Sequence, residues 1–270
     1  MSASTERTAP IGVFDSGLGG LTVAHAIMRQ LPAESLVYFG DTARVPYGPK
    51  SPDTVRRYSH EIAAYLLEQG VKAIVVACNT ATAHALPMLR EELDVPVIGV
   101  VEPGARAAVR ASRTGRIGVI ATAGTIKSGA YVRAIRAEAP DAHVTALACP
   151  LFVPLVEEGW TDHDATRAIA REYLAAFMHD EVDTLVLGCT HYPLLKPLIA
   201  GVVGPDVRLI DSAEETAVDT RRMLAEHGLA AESGEGSYRF IASDDQQQFL
   251  TLGQRFFGDT IERVEIRTFG

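Results

Sequence analysis

Lysine is scarce in this chain. Lys50, Lys72, Lys127 and Lys196 are the whole complement, and none stands in a motif that suggests a Schiff base. That argues against pyridoxal-phosphate chemistry, which needs such a lysine. Cysteine is nearly as rare, with only Cys78, Cys149 and Cys189. There is no C-x-x-C pair and no H-E-x-x-H, so the spacing offers no zinc site. Positive charge is outnumbered, with 25 Lys and Arg against 34 Asp and Glu and a net charge of −9. An acidic surface excludes nucleic acid and anionic membranes as partners, since both demand a basic face. No apolar run approaches the ~20 residues of a membrane span. The opening residues MSASTERTAP lack a basic segment followed by an apolar one. No export signal is therefore expected, and a cytoplasmic location with reduced thiols is.

Short apolar runs and longer amphipathic stretches are plentiful. The runs are Ile11–Phe14, Leu36–Phe39, Ala73–Ala77 and Val97–Val101, then Ile117–Ile120, Val144–Ala148, Thr184–Leu187 and Val207–Ile210. Helix-like segments such as Leu21–Gln30, Thr54–Glu68 and Ala165–Met178 lie between them. This rhythm predicts an α/β fold with parallel sheets. The second set also echoes the first. IGVFDSGLGG at 11 matches IGVIATAGTI at 117, KAIVVACNTA at 72 matches DTLVLGCTHY at 183, and VPVIGV at 95 matches VRLIDS at 207. Shared V/I/L content alone would not reproduce both order and spacing. The expected architecture is two similar parallel-sheet α/β domains related by pseudo-twofold symmetry, with the active site in the cleft between them. The first domain is expected over 1–103, the second over 104–212, and the tail 213–270 is expected to pack back on the first.

In open α/β sheets, ligands bind beyond the C-terminal ends of the strands. Asp15-Ser16-Gly17, Asp41, Cys78-Asn79-Thr80, Thr122, Cys149 and Cys189-Thr190-His191 stand there. A single cysteine at a strand end is most simply a small buried hydrophobe. Two at equivalent points of a duplicated fold are better read as a pair. A thiol at a helix N-terminus is biased toward thiolate, and both cysteines are expected to precede helices. Two acid/base groups on opposite faces of one carbon make a two-base racemase. Cys149 has no counterpart in the first repeat and reads as structural. Asp41 reads equally well as a turn residue, Tyr47 could merely anchor its Pro/Gly loop, and Arg44 reads as a solvated loop arginine.

FDSGLGG (14–20), DTARVPYGPK (41–50), VACNTATA (76–83), CPLFVPLVEEG (149–159) and LGCTHYPLL (187–195) occur in this order. On these motifs the chain resembles the bacterial glutamate racemase family, within the aspartate/glutamate racemases, over nearly its whole length. The resemblance implies Cys78 and Cys189 as the catalytic pair, the first acting on D-glutamate and the second on L-glutamate. It implies assistance from Asp15, His191 and Glu157, with Glu158 leaving the register at 157 open. It also implies substrate contacts from Asp15, Ser16, Tyr47, Gly48, Asn79, Thr80, Thr190 and His191. It implies no cofactor, no metal, glutamate as the small-molecule partner, and D-glutamate supply for peptidoglycan. The oligomeric state is left open, with a homodimer as one option. Rival readings are an aspartate or hydantoin racemase and a non-catalytic two-domain ligand-binding protein. A nucleotide enzyme is a further rival, but G-L-G-G does not form G-x-G-x-x-G.

Overall fold

A computed structural model describes residues 7–257 and 261–269. Residues 1–6 of the opening segment, and 258–260 and 270 of the tail, lie outside it. The chain divides into two compact units, Met1–Val100 with Ala213–Gly270, and Val101–Ser212.

In the first unit the strands are Ile11–Asp15 (β1), Leu36–Gly40 (β2), Ala73–Val76 (β3) and Val97–Gly99 (β4). All of β1, β2 and β3 is buried. Continuous apolar runs of this kind suit parallel strands covered on both faces. The helices between them are Leu21–Gln30 (α1), Pro52–Glu68 (α2) and Asn79–Glu92 (α3). Helix α2 begins where Ser51 caps it, accepting from the Thr54 N–H at 3.3 Å, with Pro52 in the first turn. A serine cap followed by proline satisfies one orphan N–H and dispenses with another. Phe14, Phe39, Ile62, Leu66, Val76 and Leu89 belong to the core of this unit.

The second unit carries Arg116–Ala121 (β5), His143–Ala148 (β6), Thr184–Gly188 (β7) and Arg208–Ile210 (β8). Its helices are Val101–Ala111 (α4), Ala123–Ser128 (α5), Ala130–Glu138 (α6), Phe152–Glu157 (α7), Asp164–His179 (α8) and Lys196–Val203 (α9). Val101 was expected to end a strand, but it opens α4. Pro103 is tolerated there because the N–H it lacks belongs to a helix's unpaired first turn.

Every described strand pairing is parallel. The second sheet has the order β6-β5-β7-β8, and the first contains β2-β1-β3-β4. The two are the same topology, as the repeated motifs predict. In both, the order reverses beside the first strand of the unit, which is where open α/β sheets bind ligands. After helix Ala213–Glu226 (α10), the tail returns as Tyr238–Ala242 (β9), helix Gln246–Phe257 (α11) and Val264–Ile266 (β10). Strand β9 pairs with β2, Leu36 opposite Tyr238, and extends the first sheet to six strands.

Candidate active site

In the first unit the site residues gather at the ends of β1 and β3. Cys78 is the N-cap of α3, with φ −73° and ψ 124°. Its sulfur accepts from the Ala81 N–H at 3.4 Å and its thiol donates to the Ser16 hydroxyl at 3.5 Å. Asn79 and Thr80 follow as the first residues of α3, both buried. Asp15 ends β1, fully buried, and accepts from the Gly17 N–H at 2.9 Å. Gly20 keeps α1 close to this turn, since a Cβ there would lie 2.5 Å from Cβ of Asp15 and 2.9 Å from Cβ of Ala77.

Tyr47 is also buried, but its hydroxyl is turned to the carboxylate of Asp41. That leaves the backbone as the part of the Tyr47–Gly48 turn that can meet a ligand. Arg44 corrects the expectation of a solvated side chain. It is 16% exposed, bonds Asp41 at 2.7 Å, pairs with Glu61, and lies over the ring of Tyr58 at 4.0 Å. Burial works against this cation, but Glu61 and Asp41 outweigh it and raise its pKa.

In the second unit Cys189 follows β7, as Cys78 follows β3, but its support differs. No α-helix opens on it. Residues Tyr192–Leu195 form a 3-10 turn, and α9 starts only at Lys196. Two prolines explain this departure from the expected helix. A continuous helix from Thr190 would hold Pro197 in its interior, against the carbonyl of Pro193. Instead the Nδ1 of His191 lies 4.0 Å from the Cys189 sulfur, and its Nε2 lies 3.1 Å from Glu157. Glu157, at the end of α7, is thus the residue that reaches the imidazole, whereas Glu158 is exposed. Burial lowers the pKa of His191, but Cys189 and Glu157 overcome it and raise it to about 10. The ring is therefore a cation at neutral pH, with one N–H for the carboxylate and one for the sulfur. Thr190 is buried beside it.

Three buried tyrosines that the sequence did not single out interact electrostatically with these thiols. Tyr38 donates to the Gly17 carbonyl at 2.9 Å, and burial, then Asp15 and Cys78, push its pKa up. Burial, then Cys189, does the same to Tyr131 and Tyr192. All three stand as neutral phenols. Cys149 is fully buried, its thiol pushed up to about 12 by burial and then by Cys189, so it stays protonated. Among the described residues, no cluster of three metal-binding side chains occurs, and no helix is long and apolar enough to cross a membrane.

The arrangement provides two nearly buried thiols, each at the end of the equivalent strand of its sheet and each with its own proton-handling neighbours. Residues 11–220 match the family described as Asp/Glu/Hydantoin racemase. The chain is 53% identical over 255 residues to a glutamate racemase of Geobacter metallireducens, covering 94% of each. Its fold superposes on a glutamate racemase isoform of Bacillus anthracis with TM-score 0.92 at 40% identity, over 98% of each chain. It is similar as well to the Francisella tularensis glutamate racemase solved with D-glutamate, with TM-score 0.91 at 38% identity, over 97% of this chain and 98% of that one.

Proposed function

Because the chain belongs to the Asp/Glu/hydantoin racemase family, we propose that it interconverts L- and D-glutamate, using Cys78 and Cys189 as its two acid/base groups. The observation that carries this reading is the pair of thiols at equivalent strand ends, one after β3 and one after β7. Inversion at a carbon needs a group that removes the α-proton from one face and a group that returns a proton to the other. Each thiol can do either, as thiolate base or thiol acid. Cys78 serves the D-enantiomer and Cys189 the L-enantiomer, and the roles exchange when the reaction runs backwards.

The difficulty is the weak acidity of an α-proton next to a carboxylate. Donors aimed at that carboxylate ease the build-up of charge as the proton leaves. The N-terminus of α3 at Asn79-Thr80, the Ser16 turn and Thr190-His191 are the groups for that task, and an anion at a helix N-terminus is stabilised there, while the Tyr47-Gly48 backbone holds the substrate equally before and during proton transfer. Asp15 assists Cys78. His191, itself held by Glu157, assists Cys189. The protein's own thiols then carry the chemistry without cofactor or metal. The product D-glutamate is made in the cytoplasm for peptidoglycan.

The test is racemisation of each enantiomer in D₂O by the wild type, Cys78→Ala and Cys189→Ala. In the wild type, early product carries deuterium at the α-carbon while unreacted substrate carries little. Each mutant loses at least ~10³-fold in both directions, the scale of a lost acid/base group. A mutant that keeps full racemase activity would refute the two-thiol mechanism.

A further inference from the structure

The Tyr47–Gly48 turn is held in part from the far end of the chain. Asp41, just past β2, has a fully buried carboxylate with no exposed side-chain surface. One oxygen takes the Arg44 guanidinium and the Tyr47 hydroxyl. The other accepts from the Ser243 hydroxyl at 2.8 Å. Ser243 follows β9. Its hydroxyl also accepts from the Ala43 N–H at 2.8 Å, and its own N–H donates to the Gly40 carbonyl at 3.0 Å. Next to it, the Thr42 hydroxyl donates to the Asp244 carbonyl at 2.6 Å and accepts from the Asp244 N–H at 3.0 Å. Phe269 closes the set, its ring 4.7 Å from the Arg44 guanidinium and 5.4 Å from the ring of Phe39.

This clamp does more than close a loop. With its hydroxyl committed to Asp41, Tyr47 cannot offer a side-chain donor to a substrate. Gly48 is buried, and among the described residues neither the Tyr47 nor the Gly48 N–H donates to a protein carbonyl or side chain. Buried N–H groups are almost always paired. Two in succession without a protein acceptor are a donor pair suited to a carboxylate. Their direction depends on Tyr47, hence on Asp41, hence on Ser243.

We propose that Ser243, in the C-terminal segment, is a positioning residue for substrate binding, acting through Asp41 and Tyr47 on the backbone donors of residues 47 and 48. The proposal rests on the glutamate reading above. Such a residue governs how tightly substrate is held, not the proton transfers at sulfur. Losing it removes binding that the ground state and transition state share, which raises KM and spares kcat.

The test compares wild type, Ser243→Ala, Tyr47→Phe and Ser237→Ala in both directions, with thermal melts of each. Ser237, at the other end of β9, bonds Ser35 and is remote from Asp41. Ser243→Ala and Tyr47→Phe are each expected to raise KM for both enantiomers about tenfold, the worth of one hydrogen bond to a charged group. Their kcat stays within about twofold of wild type, and Ser237→Ala matches wild type throughout. Unchanged KM in a folded Ser243→Ala protein, or a loss confined to kcat, overturns the proposal. If Ser243→Ala does not fold, Tyr47→Phe decides: a raised KM supports the clamp and an unchanged one overturns it. A wild-type protein inert toward glutamate overturns the glutamate reading instead, and this inference with it.

Discussion

At His191 the structure turns a short side chain into a charge carrier. Burial opposes its protonation, yet Cys189 and Glu157 raise its pKa to about 10. A pKa raised on folding adds stability that is complete below the ordinary imidazole value of ~6.5 and is lost as pH climbs through the folded value. Urea unfolding of the wild type is therefore expected to weaken between pH 7 and 10 by at least ~1 kcal/mol more than that of His191→Gln. The same substitution should lower kcat on the order of 100-fold. In Glu157→Gln the imidazole loses its carboxylate partner, so the alkaline limb of the rate profile should move to lower pH. An unmoved limb would mean that the His191–Glu157 contact, 3.1 Å long, has no part in proton handling. The strand-end position of both cysteines was legible in the sequence because the apolar runs before them repeat. Tyr38 was not, because a tyrosine within an apolar strand looks like core, and neither was Tyr131, which lies far along the chain from Cys189. Arg44 was misread for a related reason. Its partners Glu61 and Phe269 lie far along the chain, where local pattern carries no information.

The elements that deliver these side chains are held by close backbone approaches. Gly20 stands at the start of α1 with no room for a methyl group between Asp15 and Ala77. Gly20→Ala should cost about 1–3 kcal/mol, the scale of overpacking, measured as a shift in the urea midpoint. Its first casualty should be Asp15, so activity should fall further than the stability loss explains. Full activity in this variant would show that the β1–α1 turn tolerates displacement. The strands and most helices were readable, α1 to its limits, since period and length both agreed. The 3-10 turn after Cys189 was harder. Pro193 and Pro197 were visible, but CNT and CTH look alike, and the repeat suggested equal helices where the prolines forbid one.

On the scale of the molecule, the tail belongs structurally to the first unit. Strand β9 adds to β2, and the linker before it is tied by the Ala231 N–H to Glu34 at 2.8 Å. Glu34 pairs with Lys72, and both side chains are almost wholly buried, while the Lys72 ammonium also donates to the Arg7 carbonyl. Lys72→Met should cost about 3–5 kcal/mol, because it leaves a carboxylate buried without its cation. Replacing both, as Lys72→Met with Glu34→Leu, should recover most of that loss in a urea titration. If the single and double variants are equally unstable, the pair is not the anchor. Local periodicity could not show that the tail joins the sheet at β2, since a parallel strand added from about 200 residues away leaves no mark on its own sequence.

The unlike surroundings of the two thiols meet a limit set by thermodynamics. L- and D-glutamate have equal free energy in achiral water, so the equilibrium constant of their exchange is one. The Haldane relation then makes kcat/KM identical in the two directions, whatever the protein does. Yet the two thiols stand in different surroundings, Cys78 with a hydroxyl and a helix N–H, Cys189 with an imidazolium and a carboxylate. The asymmetry can surface only as a trade. The enantiomer turned over faster must show the higher KM, by the same factor, and every substitution around either thiol must move along that line. Two unlike thiols cannot make a one-way catalyst, only one that saturates sooner from one side.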